Sequence, residues 1–221
     1  MGPPFSSRRT GPLTLAVLLA VGYYLTGKLA LLMAIPPGYA TLVWPAAGLA
    51  LAGLLVFGYR VWPGIALGSF CINFPTALAS AGGEPPVAVL VAVALGLGAA
   101  LQALVGAYLI RRYVDQRTAY ARADQIGLLL VLGGPLACVA SATVGVATLA
   151  SSGVVAPADL WFHWFTWWVG DTIGVAVVMP IFLAWAAATD LLPRRKKLFA
   201  TLPILGLLAL VTTLFLRTSA L

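Results

Sequence analysis

Seven long apolar runs, at about 13–35, 41–58, 61–80, 86–110, 126–150, 160–188 and 198–217, leave only short connections and almost nothing for a folded aqueous domain. A helix needs about 20 consecutive apolar residues to cross the hydrocarbon core of a bilayer. In that core a backbone N–H or C=O has no water to bond, so apolar runs of this length fold as helices. The chain is therefore expected to be all-α, a polytopic integral membrane bundle of seven transmembrane helices forming a single domain over residues 1–221. Only 9% of its residues are charged, against about 25% in a soluble domain, which excludes a folded aqueous enzyme or nucleic-acid-binding domain. Cys71 and Cys138 both lie inside apolar runs and read as small core residues.

Turn signals separate the runs: Pro36-Pro37-Gly38, then Gly82-Gly83-Glu84-Pro85-Pro86, then Pro157, then Pro193 beside a basic cluster. Lysine and arginine alternate from one connection to the next. Arg8 and Arg9 precede the first helix, Arg60 joins the second and third, and Arg111, Arg112, Arg117 and Arg122 join the fourth and fifth. Arg194, Arg195, Lys196 and Lys197 join the sixth and seventh, and the intervening loops carry no such residue. Cationic loops stay in the cytoplasm, so the net charge of +7 marks one face of the membrane. It predicts a cytoplasmic amino terminus and an outer carboxyl terminus. The first run exceeds the 7–15 residue core of a secretion signal and reads as a retained helix. Small residues four apart, Gly48 with Ala52, Gly64 with Gly68 and Gly170 with Gly174, predict close helix contacts.

Charge inside a membrane span is costly and normally turned toward a protected interior. Lys28 and Asp171 are the two cases here. At a rise of 1.5 Å per residue, Lys28 falls ~10 Å and Asp171 ~15 Å below the outer ends of their helices. Asn73, Trp44 and His163 fall in the same outer half. A polar pocket open to the outside would account for all five. The simpler alternatives are a structural ion pair between Lys28 and Asp171, or a Lys28 stem stretched up to the interface. His163 alone has a bland reading too, as a wet or hydrogen-bonded interfacial side chain.

The stretch WFHWFTWWVGDTIGVAVVMP from 161 to 180, with Trp185 just beyond, holds five of the seven tryptophans. On a helix Trp164, Trp168 and Asp171 share a face, while His163, Trp167, Gly170 and Gly174 share the neighbouring one. Aromatic rings beside an acid can hold a cation or a flat ring. An interfacial aromatic belt explains Trp161 and Trp164 equally well, but Trp168 lies deeper than a belt. Catalytic patterns are missing: the chain has no nucleophile elbow, no zinc-protease helix and no phosphate-binding loop. A single histidine rules out a bis-histidine haem or a three-histidine zinc site. Neither an enzyme nor a metal or cofactor is expected.

The run WPAAGLALAGLLVFGYRVWPGIALGSFCINF from 44 to 74, together with Trp168, Gly170-Asp171, Gly174 and Pro180, resembles the membrane-associated sensor domain of the first type. Such domains sit at the amino terminus of bacterial histidine kinases and cyclic-di-GMP enzymes. The resemblance implies a sensory input module in the bacterial inner membrane, commonly of eight helices, that signals to a cytoplasmic output domain. Ala46 stands where the family often has a second proline, a mild departure. A chain ending at Leu221 after an outward crossing would need an eighth helix to reach such a domain, or a partner in trans.

Taken together, the sequence suggests a sensor that binds a small ligand or lipid-like molecule through Lys28, Asn73, Trp168 and Asp171, with Trp44 at the rim and His163 as a titrating member. Its expected partners are membrane lipids, the unidentified ligand, an output domain in cis or trans and a second copy in a homodimer, with no nucleic acid. Two rival readings are a small-solute transporter or channel subunit that uses Lys28 and Asp171, and a structural module that localises or dimerises an attached domain.

Overall fold

Proline sets where most of these helices begin, because the first turn needs no N–H from it and its fixed φ suits the helix. In the computed structural model, which describes residues 11–32, 41, 43–115 and 122–190, α1 (Pro12–Leu31), α2 (Pro45–Phe57) and α4 (Pro85–Tyr113) all start on a proline. The α3 helix (Trp62–Ser80) has Pro63 in its first turn. The fifth run forms α5 (Ala123–Val131) and α6 (Ala137–Ser151), joined by a π-helical turn over Leu132–Leu136. That turn contains Pro135, which has no N–H to give to the ladder, and a single wide turn absorbs the defect. The last described helix is α7 (Leu160–Asp190).

Among the described residues five spans are long and apolar enough to cross a membrane: Pro12–Leu31, Tyr59–Ser80, Pro85–Tyr113, Ala123–Ser151 and Pro157–Ala187. The second helix is shorter than the expected 41–58. Its 13 residues extend about 20 Å, less than the ~30 Å of hydrocarbon. Proline disfavours the helical region for the residue before it, so Trp44 adopts φ −113°, ψ 85° and the helix cannot start earlier. At the other end Gly58 turns the chain with φ 88°, a value other residues resist. The expected seventh helix at 198–217 lies outside the described residues.

Burial places α2 at the centre. None of its residues is exposed, and it packs against α1, α4 and α7. The remaining main contacts are α1 with α3, α3 with α4, α4 with α6 and α6 with α7. Glycine lets these backbones approach. A methyl group on Gly64 or Gly68 of α3 would strike the Ala16 or Ala20 carbonyl of α1, and one on Gly96 of α4 would strike the Ala66 carbonyl of α3. The outer surface is apolar, with Leu13, Leu18, Leu25, Leu90, Leu97, Trp161 and Phe162 exposed. Such a surface suits acyl chains and would be unstable in water.

The start of α2 is deep. Trp44 N–H donates to the Gly170 carbonyl at 2.9 Å, and Gly170 lies ten residues into α7, ~15 Å from its beginning. Non-helical backbone at that depth is tolerated where protein encloses it. Thr41 is 7% exposed, and its carbonyl abuts Gly170.

Candidate functional site

One end of the bundle is hollow. The ends of α1, α3 and α6 and the beginnings of α2, α4 and α7 enclose a cavity of about 260 Å³. It is the end away from Arg60, Arg111 and Arg122. Tyr23, Ser69, Ser141 and Asp171 line its deep part, each ~12–17 Å from the end of its own helix at the helical rise. His163 and Ser152 line it nearer the mouth.

The deep residues are hydrogen-bonded to one another. Asp171 is 3% exposed, and its Oδ2 accepts the Ser141 hydroxyl at 2.5 Å. The Trp167 side chain, one turn earlier on α7, is its second hydrogen-bond partner. Across the cavity Trp44 Nε1 donates to the Tyr23 hydroxyl at 3.2 Å. Asn73 Nδ2 donates to the Ser69 carbonyl at 2.8 Å and to its hydroxyl at 3.3 Å. A carboxylate can accept about four hydrogen bonds, so this floor retains acceptor capacity on Asp171.

Four of the six residues singled out in the sequence line the cavity: Trp44, Asn73, His163 and Asp171. Lys28 does not. It is exposed, its Nζ lies 5.7 Å from the Tyr24 ring, and no Lys28–Asp171 pair forms. The reason is helical phase: Tyr23, Gly27 and Ala30 make the buried stripe of α1, and Lys28, five residues after Tyr23, stands about 140° from it. Its long stem lets the amine remain outside the core. Trp168 also turns away, donating Nε1 to the Pro135 carbonyl of the π turn at 2.8 Å. The neighbouring face of α7, with His163, Thr166, Trp167 and Gly170, is the one that meets the cavity.

Tyr23, Ser69, Ser141 and Trp167 were not anticipated. Trp167 had a signal, since it shares a face with Gly170 and Gly174, which mark where another backbone approaches. The serines had none, because isolated hydroxyls are ordinary in membrane helices and bond their own backbone. Among the described residues no three His, Cys, Asp or Glu side chains stand close enough to hold a metal ion.

The sequence model of MASE1, membrane-associated sensor domain 1, matches residues 14–221. The chain belongs to this family. MASE1 is a family of membrane sensory input domains. Comparisons with curated proteins and with solved structures returned no match. The two segments that carry the MASE1 resemblance, remote in sequence, meet at this site. Trp44 bonds the Gly170 backbone, and the Trp44 carbonyl lies against Gly174 with no room for a side chain between them.

Proposed function

We propose that this MASE1 chain binds a small molecule in the cavity from the outer side of the bacterial inner membrane and signals by changing how α2 packs. The observation that carries the reading is the buried Asp171 carboxylate at the floor of a cavity whose wall includes the start of the central helix. The cation-bearing ends Arg60, Arg111, Arg112 and Arg122 would face the cytoplasm, which puts the cavity mouth outside and the amino terminus inside. A ligand moves such a bundle only through unequal affinity for two packings. Here Trp44 touches the cavity at one end of α2, while at the other end Arg111 donates to the Leu54 and Leu55 carbonyls. A shift at the first end is thereby delivered to the basic face. The receiver would be a histidine kinase or cyclic-di-GMP enzyme, in cis or in a partner chain.

The test compares wild type with Asp171→Asn and Asn73→Ala in cells that carry the protein and its output partner. Kinase phosphorylation or cyclic-di-GMP level is read alongside the amount of folded protein in the membrane. Loss of response with the fold retained supports the sensor. Altered stability with an intact response would reduce the domain to an anchor. The discontinuous start of α2 in mid-bundle is also a feature of transporters. Solute flux into liposomes, abolished by Asp171→Asn, would establish that reading instead.

A further inference from the structure

The charge around the cavity selects among small molecules. Its lining includes one carboxylate, Asp171, and neither lysine nor arginine. The nearby connections at this end add Glu84 and Asp159, both exposed. Residues 33–40 and 42, which belong to the same end by sequence, contain no charged side chain. Lys28, the cation on this half of α1, stands on the outer surface over Tyr24. An anion entering the cavity would thus meet a buried carboxylate that no lysine or arginine among the described lining residues balances, which is a large penalty in a weakly polar surrounding. A cation meets the opposite field, with two more acidic groups at the approach.

The other side chains fit the same ligand. Tyr23, Trp44 and Trp167 present aromatic rings to the cavity, and such rings attract a cation at their faces and pack against a flat or apolar body. Size is limiting as well. An apolar cavity of about 150 Å³ admits benzene, so about 260 Å³ has room for roughly ten non-hydrogen atoms on the same scale. We infer, on the strength of the sensory reading above, that the site takes a small organic cation, an amine with an aromatic or apolar body, whose ammonium group bonds Asp171 and whose body lies among Tyr23, Trp44 and Trp167.

Three probes of similar size separate charge from shape: phenethylamine, phenethyl alcohol and phenylacetate. Each is titrated at neutral pH into the full chain in lipid nanodiscs. Binding is followed by intrinsic tryptophan fluorescence, to which Trp44 and Trp167 report directly. The expected order is amine, then alcohol, then acid, with the amine favoured over the alcohol by roughly tenfold to a hundredfold, the span of a charge-assisted hydrogen bond. Asp171→Asn should abolish the amine's advantage, leaving amine and alcohol with similar affinities. Phenylacetate binding as tightly as the amine, or an amine affinity untouched by Asp171→Asn, overturns the cation assignment while leaving a ligand pocket in place. Silence of all three probes at millimolar concentration overturns the pocket along with it. The probe order is measured on the unaltered protein, so it decides the matter even where the variant fails to fold.

Discussion

Replacing Gly174 by alanine puts a methyl group where the structure has another backbone. The new carbon would strike the Trp44 carbonyl oxygen and lie 2.5 Å from the Trp44 carbonyl carbon and 3.3 Å from the Pro45 nitrogen. Carbon atoms rest about 3.5–4.0 Å apart, so α7 and the start of α2 would have to separate by about 1 Å. No flexible side chain is available to yield instead. The same movement stretches the 2.9 Å bond from Trp44 N–H to the Gly170 carbonyl beyond hydrogen-bonding range. Overpacking costs about 1–3 kcal/mol, and a buried amide left without a partner about 1–3 kcal/mol more, giving ~2–6 kcal/mol in all. Gly127 of α5 is the matched control, since a methyl group there meets nothing within 4 Å. Alanine at Gly127 should be neutral or stabilise by up to ~1 kcal/mol through helix propensity. Thermal unfolding of both variants in detergent, read by circular dichroism, gives the comparison. Equal midpoints for Gly174→Ala and Gly127→Ala would refute the close crossing and with it the placement of α2 against Asp171.

Arg111→Ala should destabilise the basic end of α2 by about 1–2 kcal/mol, because it removes two charge-assisted bonds to Leu54 and Leu55 and the guanidinium packed 4.5 Å from the Tyr59 ring. Arg111→Lys should recover less than half of that loss in the same unfolding assay, since a point charge cannot fork and stack at once. Maleimide reacts with the water-solvated thiolate. Cys138 is buried, and Cys71, exposed at the middle of α3, would face acyl chains, so in bilayers both should label only after denaturation, as counted by mass spectrometry. For the orientation, Asp159→Cys in a Cys71→Ala background should react with a membrane-impermeant maleimide in intact cells and Arg60→Cys should not. The reverse pattern would invert the bundle.

The helices were legible because apolar length and proline punctuation are local signals. Pro85 closes the turn signal before the expected 86–110 helix, and the structure begins α4 there, whereas the second run, read from 41, becomes helical only at Pro45. What could not be read was α2's depth, since Pro36-Pro37-Gly38 and Trp44-Pro45 give its connections but not the glycine-lined surface of α7 on which it is seated. Asp171 was found by the cost of a buried charge. Lys28 was singled out by the same rule, and there the rule fails, because four methylenes let an amine escape the core while a short carboxylate cannot. Choosing between Trp167 and Trp168 needed the phase of α7. Gly170 and Gly174 held that information, yet only a neighbouring backbone could show that they, and not the tryptophan-rich stripe, face inward. The fifth run reads as one helix over 126–150, and the structure interrupts it with the π turn Leu132–Leu136, where the Pro135 carbonyl accepts a bond from Trp168 Nε1.

Because α2 is sheathed by protein along its whole length, acyl chains have no grip on it. A slide or roll of this short rod uncovers no greasy area to water and drags no lipid with it, so the resistance comes from interlocked side chains and the fastenings at its two tips. Bilayer thickness, tension and fluidity act on the outer helices and reach the rod only second-hand. On the proposed sensory reading, a chain whose central helix is insulated in this way would respond to what occupies the chamber above it rather than to the mechanical state of the membrane.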